Sequence, residues 1–105
     1  NPSDGEYAVK IAKESGGGAW AVSDKEALTG IKLLAQTEGI FAEATGGVVI
    51  AVLKKLVAAG KIKPDDLTVA VITGAGPRTQ DIMADVVHAT LVEPTVESFD
   101  SAFDK

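Results

Sequence analysis

Apolar and polar residues alternate along this chain with more than one spacing, and each spacing predicts a different element. Ala27, Leu28, Ile31, Leu34 and Ala35 recur at helical intervals, and Ser23-Asp24-Lys25-Glu26 before them reads as a capping box, so a helix is expected from Ser23 to about Thr37. Tyr7, Ala8, Ile11 and Ala12 give a shorter apolar face to a helix capped at Asp4 and running to about Glu14. Two stretches show no polar side at all. Val48 to Leu53 is apolar without interruption and sits in a longer segment, Glu38 to Ala59, which Gly60 closes as a C-cap glycine. Leu67 to Ile72 (LTVAVI) reads as a parallel strand buried on both faces.

Shorter signals fill in the rest. Gly16, Gly17 and Gly18 follow a helix instead of a strand, which favours a helix stop over a phosphate-cradling loop. Ala19 to Val22 is a short strand candidate, and Pro64 keeps Lys61 to Asp66 from continuing the helix before it. Thr79 is placed to cap a helix from Gln80 to His88. Pro94 and Thr95 start a last helix in which Val96, Phe99, Ala102 and Phe103 share a side. The order is helix, strand, helix, helix, strand, helix, helix, which is an α/β chain with few strands.

Length then sharpens the picture. The 105 residues suit one domain, 1–105. Yet a helix apolar all round and a strand covered on both faces ask for more cover than the other segments supply. The chain is therefore expected to be part of something larger. Its start at Asn1, with Met83 as the only methionine, is expected to reflect truncation.

Composition mainly excludes. A hydrophobic share of 46% with 24% charged residues is that of an ordinary globular protein and not of a disordered one. A formal charge of −5 and 5% aromatics give no support to a nucleic-acid or anionic-membrane partner. The chain has no cysteine, which removes disulfides, thiolate metal sites and a cysteine nucleophile, and which fits a reducing, cytoplasmic location. No signal peptide is evident, and no apolar run approaches the roughly 20 residues of a membrane span. One histidine and scattered carboxylates make no metal ligand set.

Two loops could carry chemistry. Thr73-Gly74-Ala75-Gly76-Pro77-Arg78 follows the buried strand, and ligands of open α/β sheets collect at strand carboxyl ends. The same residues also suit a plain strand-to-helix turn. Glu43, Thr45, Gly46 and Gly47 lead into the central helix, whose free N–H groups favour an anion or a polar ligand. Glu43 or Thr45 could equally be no more than the cap. His88 reads as structural, because no serine or cysteine stands near it in a triad spacing. Met83 reads as core filler; Arg78 could grip a phosphate or carboxylate but reads more simply as a solvated charge, as do Lys54 and Lys55.

Four segments, in order, resemble the C-terminal part of the threonine synthase family. They are Asn1-Pro2-Ser3-Asp4-Gly5 with Glu14-Ser15-Gly16-Gly17; Val22-Ser23-Asp24-Lys25-Glu26-Ala27; Thr37-Glu38-Gly39-Ile40-Phe41-Ala42-Glu43 with Gly46-Gly47-Val48; and Ile72-Thr73-Gly74-Ala75-Gly76 with Val92-Glu93-Pro94-Thr95. The third is the most specific. The resemblance implies a pyridoxal 5'-phosphate enzyme of the tryptophan synthase β-like fold, this chain being the C-terminal portion of its three-layer αβα parallel-sheet cofactor domain. It implies conversion of O-phospho-L-homoserine and water to L-threonine and phosphate by a homodimer. It also implies cofactor-binding roles for Thr73, Gly74 and Glu43, with the Thr73 hydroxyl on the pyridine nitrogen and Glu43 beside the ring.

Three departures qualify that likeness. Ala75 replaces a polar residue usual between the two glycines, and Pro77-Arg78 replaces a Leu-Lys pair, which leaves threonine dehydratase or cysteine synthase as alternative parents. The Schiff-base lysine and the phosphate loop of the family lie upstream of the matched region, so no catalytic residue is assigned and these residues alone are expected to be silent. A non-enzymatic α/β module that covers its apolar segments by oligomerising is the competing reading.

Overall fold

The structure, a computed structural model, describes residues 3–84 and 89–103. It holds four α-helices, Gly5–Glu14 (α1), Asp24–Glu38 (α2), Ala44–Ala58 (α3) and Val96–Phe103 (α4), with a 3-10 helix over Gly76–Met83. The first two and the end of α3 match the sequence expectation closely because those ends are written locally. Ser23 and Glu26 form the reciprocal capping box, with Glu26 N–H donating to Ser23 Oγ at 3.3 Å and Ser23 N–H donating to Glu26 Oε2 at 2.8 Å. Gly39 ends α2 in the left-handed conformation. Gly60, at φ 66, ends α3 in a Schellman arrangement: Lys61 N–H donates to Leu56 O at 2.9 Å and Gly60 N–H to Val57 O at 3.0 Å.

Helices α2 and α3 pack against each other through small residues. Gly30 and Gly47 face one another so closely that a Cβ on Gly30 would overlap the Gly47 carbonyl, and one on Gly47 would overlap the Ala27 carbonyl. Ala27, Ile31, Leu34 and Ala51 are buried around this crossing, and Ile31 is 1% exposed. At one rim Lys55 Nζ reaches Glu26 Oε1 at 2.9 Å and donates to Ala21 O at 3.1 Å, tying the end of α3 to the start of α2. The Glu26 carboxyl is held down at about 2, first by the Ser23 N–H, then by Lys55 and the Ser23 hydroxyl.

Three expectations require correction. Ala19–Val22 and Leu67–Ile72 form no strand, and among the described residues the one β pairing is an isolated antiparallel bridge between Ala42 and Ala75. A strand covered on both faces needs neighbours to bond to, and within this chain Leu67, Val69 and Val71 stay 97%, 78% and 64% exposed. The α/β expectation is thus met only in its helices. Second, α3 begins at Ala44, so Thr45, Gly46 and Gly47 lie in its first turn and not in a preceding loop. Third, the segment after Thr79 is part of the 3-10 helix Gly76–Met83. His88, the expected end of a helix and the candidate structural histidine, lies outside the described residues. Met83 is buried, as core filler should be.

Much apolar surface remains open. No side chain of α1 or α4 is buried, and Tyr7, Ile11, Phe99 and Phe103 are each more than half exposed. A radius of gyration of 18.6 Å exceeds the roughly 13 Å of a compact chain of this length. An apolar groove of about 290 Å³ runs between α3 and residues 68–70, lined by Val49, Val52, Leu56 and Val69 among others. Among the described residues, no helix is long and apolar enough to cross a membrane.

Candidate functional site

Two segments far apart in sequence meet at the start of α3. Phe41 and Gly76 pair through a Gly76 N–H to Phe41 O bond of 2.9 Å, and Glu43 N–H donates to Gly74 O at 3.0 Å. These bonds flank the Ala42–Ala75 bridge and clasp residues 41–44 to residues 74–76. Glycines leave room for side chains on one side of the clasp. A Cβ on Gly76 would overlap the Phe41 ring, and a Cβ on Gly74 would overlap the Glu43 carboxyl.

The clasp sets the surroundings of Glu43. Its side chain is 17% exposed, with Oε1 accepting from Thr45 Oγ1 at 2.8 Å and Oε2 lying 3.7 Å from Arg78 Nε. Glu43 stands at the N-cap position of α3 yet makes no capping bond with its side chain. The first helical N–H, of Ala44, donates instead to Thr79 Oγ1 at 3.3 Å, from 35 residues further along. The result is a carboxylate that bonds the Thr45 hydroxyl but no backbone N–H of its helix, seated on Gly74, with one guanidinium at its outer edge.

All three residues singled out from the sequence are accounted for. Glu43 and Gly74 are in contact, and Thr73, next to Gly74, is exposed to solvent beside them. The structure therefore unites two loops that the sequence presents as separate candidates. Glu43 occupies the N-cap position of α3, as the capping reading expects, but its side chain makes no capping bond. Sequence reasoning set aside the carboxylate-gripping reading of Arg78 in favour of a solvated charge, and missed Thr79, taken as the cap of the following helix. No local pattern announces a cap supplied from another segment. Among the described residues, no three His, Cys, Asp or Glu side chains come together as a metal site would need.

Comparison with known proteins gives this geometry a context. Residues 1–74 match the family described as pyridoxal-phosphate dependent enzyme. A threonine synthase of a Bacillus species is 45% identical over 82 residues, 78% of this chain and 23% of the relative. The threonine synthase of Halalkalibacterium halodurans is 44% identical over 94 residues, 87% of this chain and 27% of the relative. That of Methanocaldococcus jannaschii is 42% identical over 81 residues, 77% of this chain and 20% of the relative. The chain thus spans about a quarter of the length of the curated relatives it matches.

Proposed function

Since this chain belongs to the pyridoxal-phosphate dependent enzyme family, we propose that it is the C-terminal portion of the cofactor domain of a threonine synthase. The complete enzyme converts O-phospho-L-homoserine and water to L-threonine and phosphate, and acts as a cytoplasmic homodimer. The relatives named threonine synthase support the assignment, and the clasp is the structural observation that carries it. It brings Glu43 and Thr73-Gly74 to one place at the start of a helix, as a site built from both segments needs.

The residues present fit one edge of pyridoxal phosphate. Thr73 offers an exposed hydroxyl, and beside it the Glu43 carboxyl occupies the space that the missing side chain of Gly74 leaves. When bound, the cofactor supplies an electron sink. The Thr73 hydroxyl would hold the ring nitrogen by a neutral hydrogen bond, which would not force its protonation as a carboxylate would. Glu43, fixed against Gly74, would place a carboxylate nearby. No lysine occurs in residues 41–45 or 72–79, so the anchoring amine and the phosphate loop come from outside these residues. By resemblance the family's Schiff-base lysine and phosphate loop lie upstream of the matched region, so the 105 residues alone are expected to turn over no substrate.

The open apolar surfaces support the rest of the proposal. In the complete enzyme, residues 67–72 form a strand of the three-layer αβα parallel sheet, covered on one side by α3, whose groove already faces residues 68–70. The test is the complete gene product, given pyridoxal phosphate and O-phosphohomoserine. Threonine and phosphate should appear in equal amounts. Deamination of threonine, or consumption of O-acetylserine, in place of that reaction would assign the chain to the dehydratase or cysteine synthase branch.

A further inference from the structure

We propose that Arg78 and Thr79 are positioning residues for Glu43. The inference rests on the cofactor-side reading of Glu43 and deepens it by naming what holds the carboxylate in place. Both residues lie beyond residues 1–74, the part of the chain that matches the family model.

A helix start presents unsatisfied N–H groups and positive potential, and the nearest carboxylate is drawn to them. For α3 that carboxylate belongs to Glu43, which has the extended backbone of an N-cap residue, φ −70 and ψ 177. Left to itself it would fold back onto its own helix. Two contacts from the second segment oppose this. Thr79 Oγ1 accepts the Ala44 N–H at 3.3 Å, so one of the free donors is answered from outside. Arg78 Nε stands 3.7 Å from Glu43 Oε2, on the side of the carboxylate away from the Thr45 hydroxyl that binds Oε1. Between these the carboxyl rests on Gly74, where any larger residue would collide with it.

The backbone agrees with this division of labour. The 3-10 helix Gly76–Met83 is broken at Thr79, at φ −138 and ψ 37, the residue whose hydroxyl meets α3. Because that hydroxyl accepts from Ala44, its own proton stays free to donate. Arg78 is 77% exposed and is not buried as a structural ion pair would be. Its contribution is a positive charge at the outer edge of the carboxylate, which a lysine in its place keeps.

The experiment uses the complete gene product with Thr79→Val, Thr79→Ser, Arg78→Gln and Arg78→Lys. The first readout needs no cofactor: hydrogen exchange of peptides covering residues 41–47. Losing one cap interaction should speed exchange there roughly fivefold in Thr79→Val, with Thr79→Ser close to the parent. The second readout is the absorbance of bound pyridoxal phosphate across pH, with kcat and KM for O-phosphohomoserine. A misplaced carboxylate should lower kcat about tenfold in Thr79→Val and Arg78→Gln, alter the pH profile of the absorbance and leave KM within about twofold. Arg78→Lys should restore most of the loss. Unchanged exchange at 41–47 in Thr79→Val, or parental absorbance and kcat in both variants, overturns the proposal. Should Thr79→Val fail to fold, Arg78→Gln decides alone, because its side chain is exposed. A gene product that binds no pyridoxal phosphate would refute the cofactor reading, while the exchange data would still decide whether Thr79 holds the clasp.

Discussion

Replacing Gly30 by alanine sets two effects of known sign against each other. Gly30 lies inside α2, where alanine is favoured over glycine by about 1 kcal/mol on propensity alone. Against this stands the crossing with α3. The new Cβ would overlap the Gly47 carbonyl oxygen and lie 3.1 Å from its carbon and 3.2 Å from its Cα, all backbone atoms that cannot rotate aside. The helices must separate by roughly 1 Å, and such a gap forfeits a quarter to a half of each dispersion contact across the interface. Ala27, Ile31, Leu34 and Ala51 share that loss, since they form the buried layer around the crossing. Overpacking of this kind costs about 2–3 kcal/mol. The steric term wins, leaving the protein about 1–2 kcal/mol less stable, or roughly 5–15 °C lower in Tm. Thermal melts followed by circular dichroism would read this, with Thr29→Ala as the control. Thr29 is the exposed neighbour on the same helix, so its change tests propensity without the crossing. A Gly30→Ala protein that melts at or above the parent would refute the close helix approach.

Three further outcomes are expected. Gly74→Ala should behave oppositely to Gly30→Ala: the atoms in its way are the end of the flexible Glu43 side chain, which can swing out. Stability should then stay within about 1 kcal/mol, while turnover of the complete enzyme falls; a large loss of Tm with normal turnover would contradict the seating of Glu43. The folded Glu26 carboxyl sits at about 2 against an ordinary 4.5, so its stabilising share is present above pH 4.5 and is lost as pH falls towards 2. Acid titrations of Tm should therefore be shallower in that window for Glu26→Gln than for the parent, and parallel curves would remove the Ser23–Glu26–Lys55 cluster from the account. Finally, the 105-residue chain mixed with pyridoxal phosphate and reduced with borohydride should show no single stoichiometric adduct by intact mass. One specific adducted lysine would contradict its catalytic silence.

What the sequence could disclose was set by how local each cause is. The Ser23–Glu26 box, the left-handed Gly60 and the Gly16 stop are each written within a few residues, and α1, α2 and the end of α3 were legible from them. The start of α3 was not. Its first N–H is answered by Thr79, and no spacing rule connects Ala44 with a hydroxyl in another segment. Strand pairing is nonlocal in the same way. Leu67 to Ile72 has the composition of a buried strand, but a strand exists only once neighbours take its backbone bonds, and its exposed valines show that those neighbours are not supplied here. Glu43, Thr73 and Gly74 were legible as residue types at element ends. That the two loops meet is visible only in the Glu43–Gly74 and Phe41–Gly76 backbone bonds.

The central claim is that this chain brings the Thr73 hydroxyl and its clasped neighbours to the cofactor of a threonine-forming enzyme. The most direct measurement is the absorbance spectrum and threonine-forming rate of the complete gene product with Thr73→Ala, beside Thr73→Ser. The account predicts an altered cofactor spectrum and a rate lower by about tenfold or more for alanine, with serine restoring most of both. An alanine variant with the parent's spectrum and rate would remove Thr73 from the site and contradict the account.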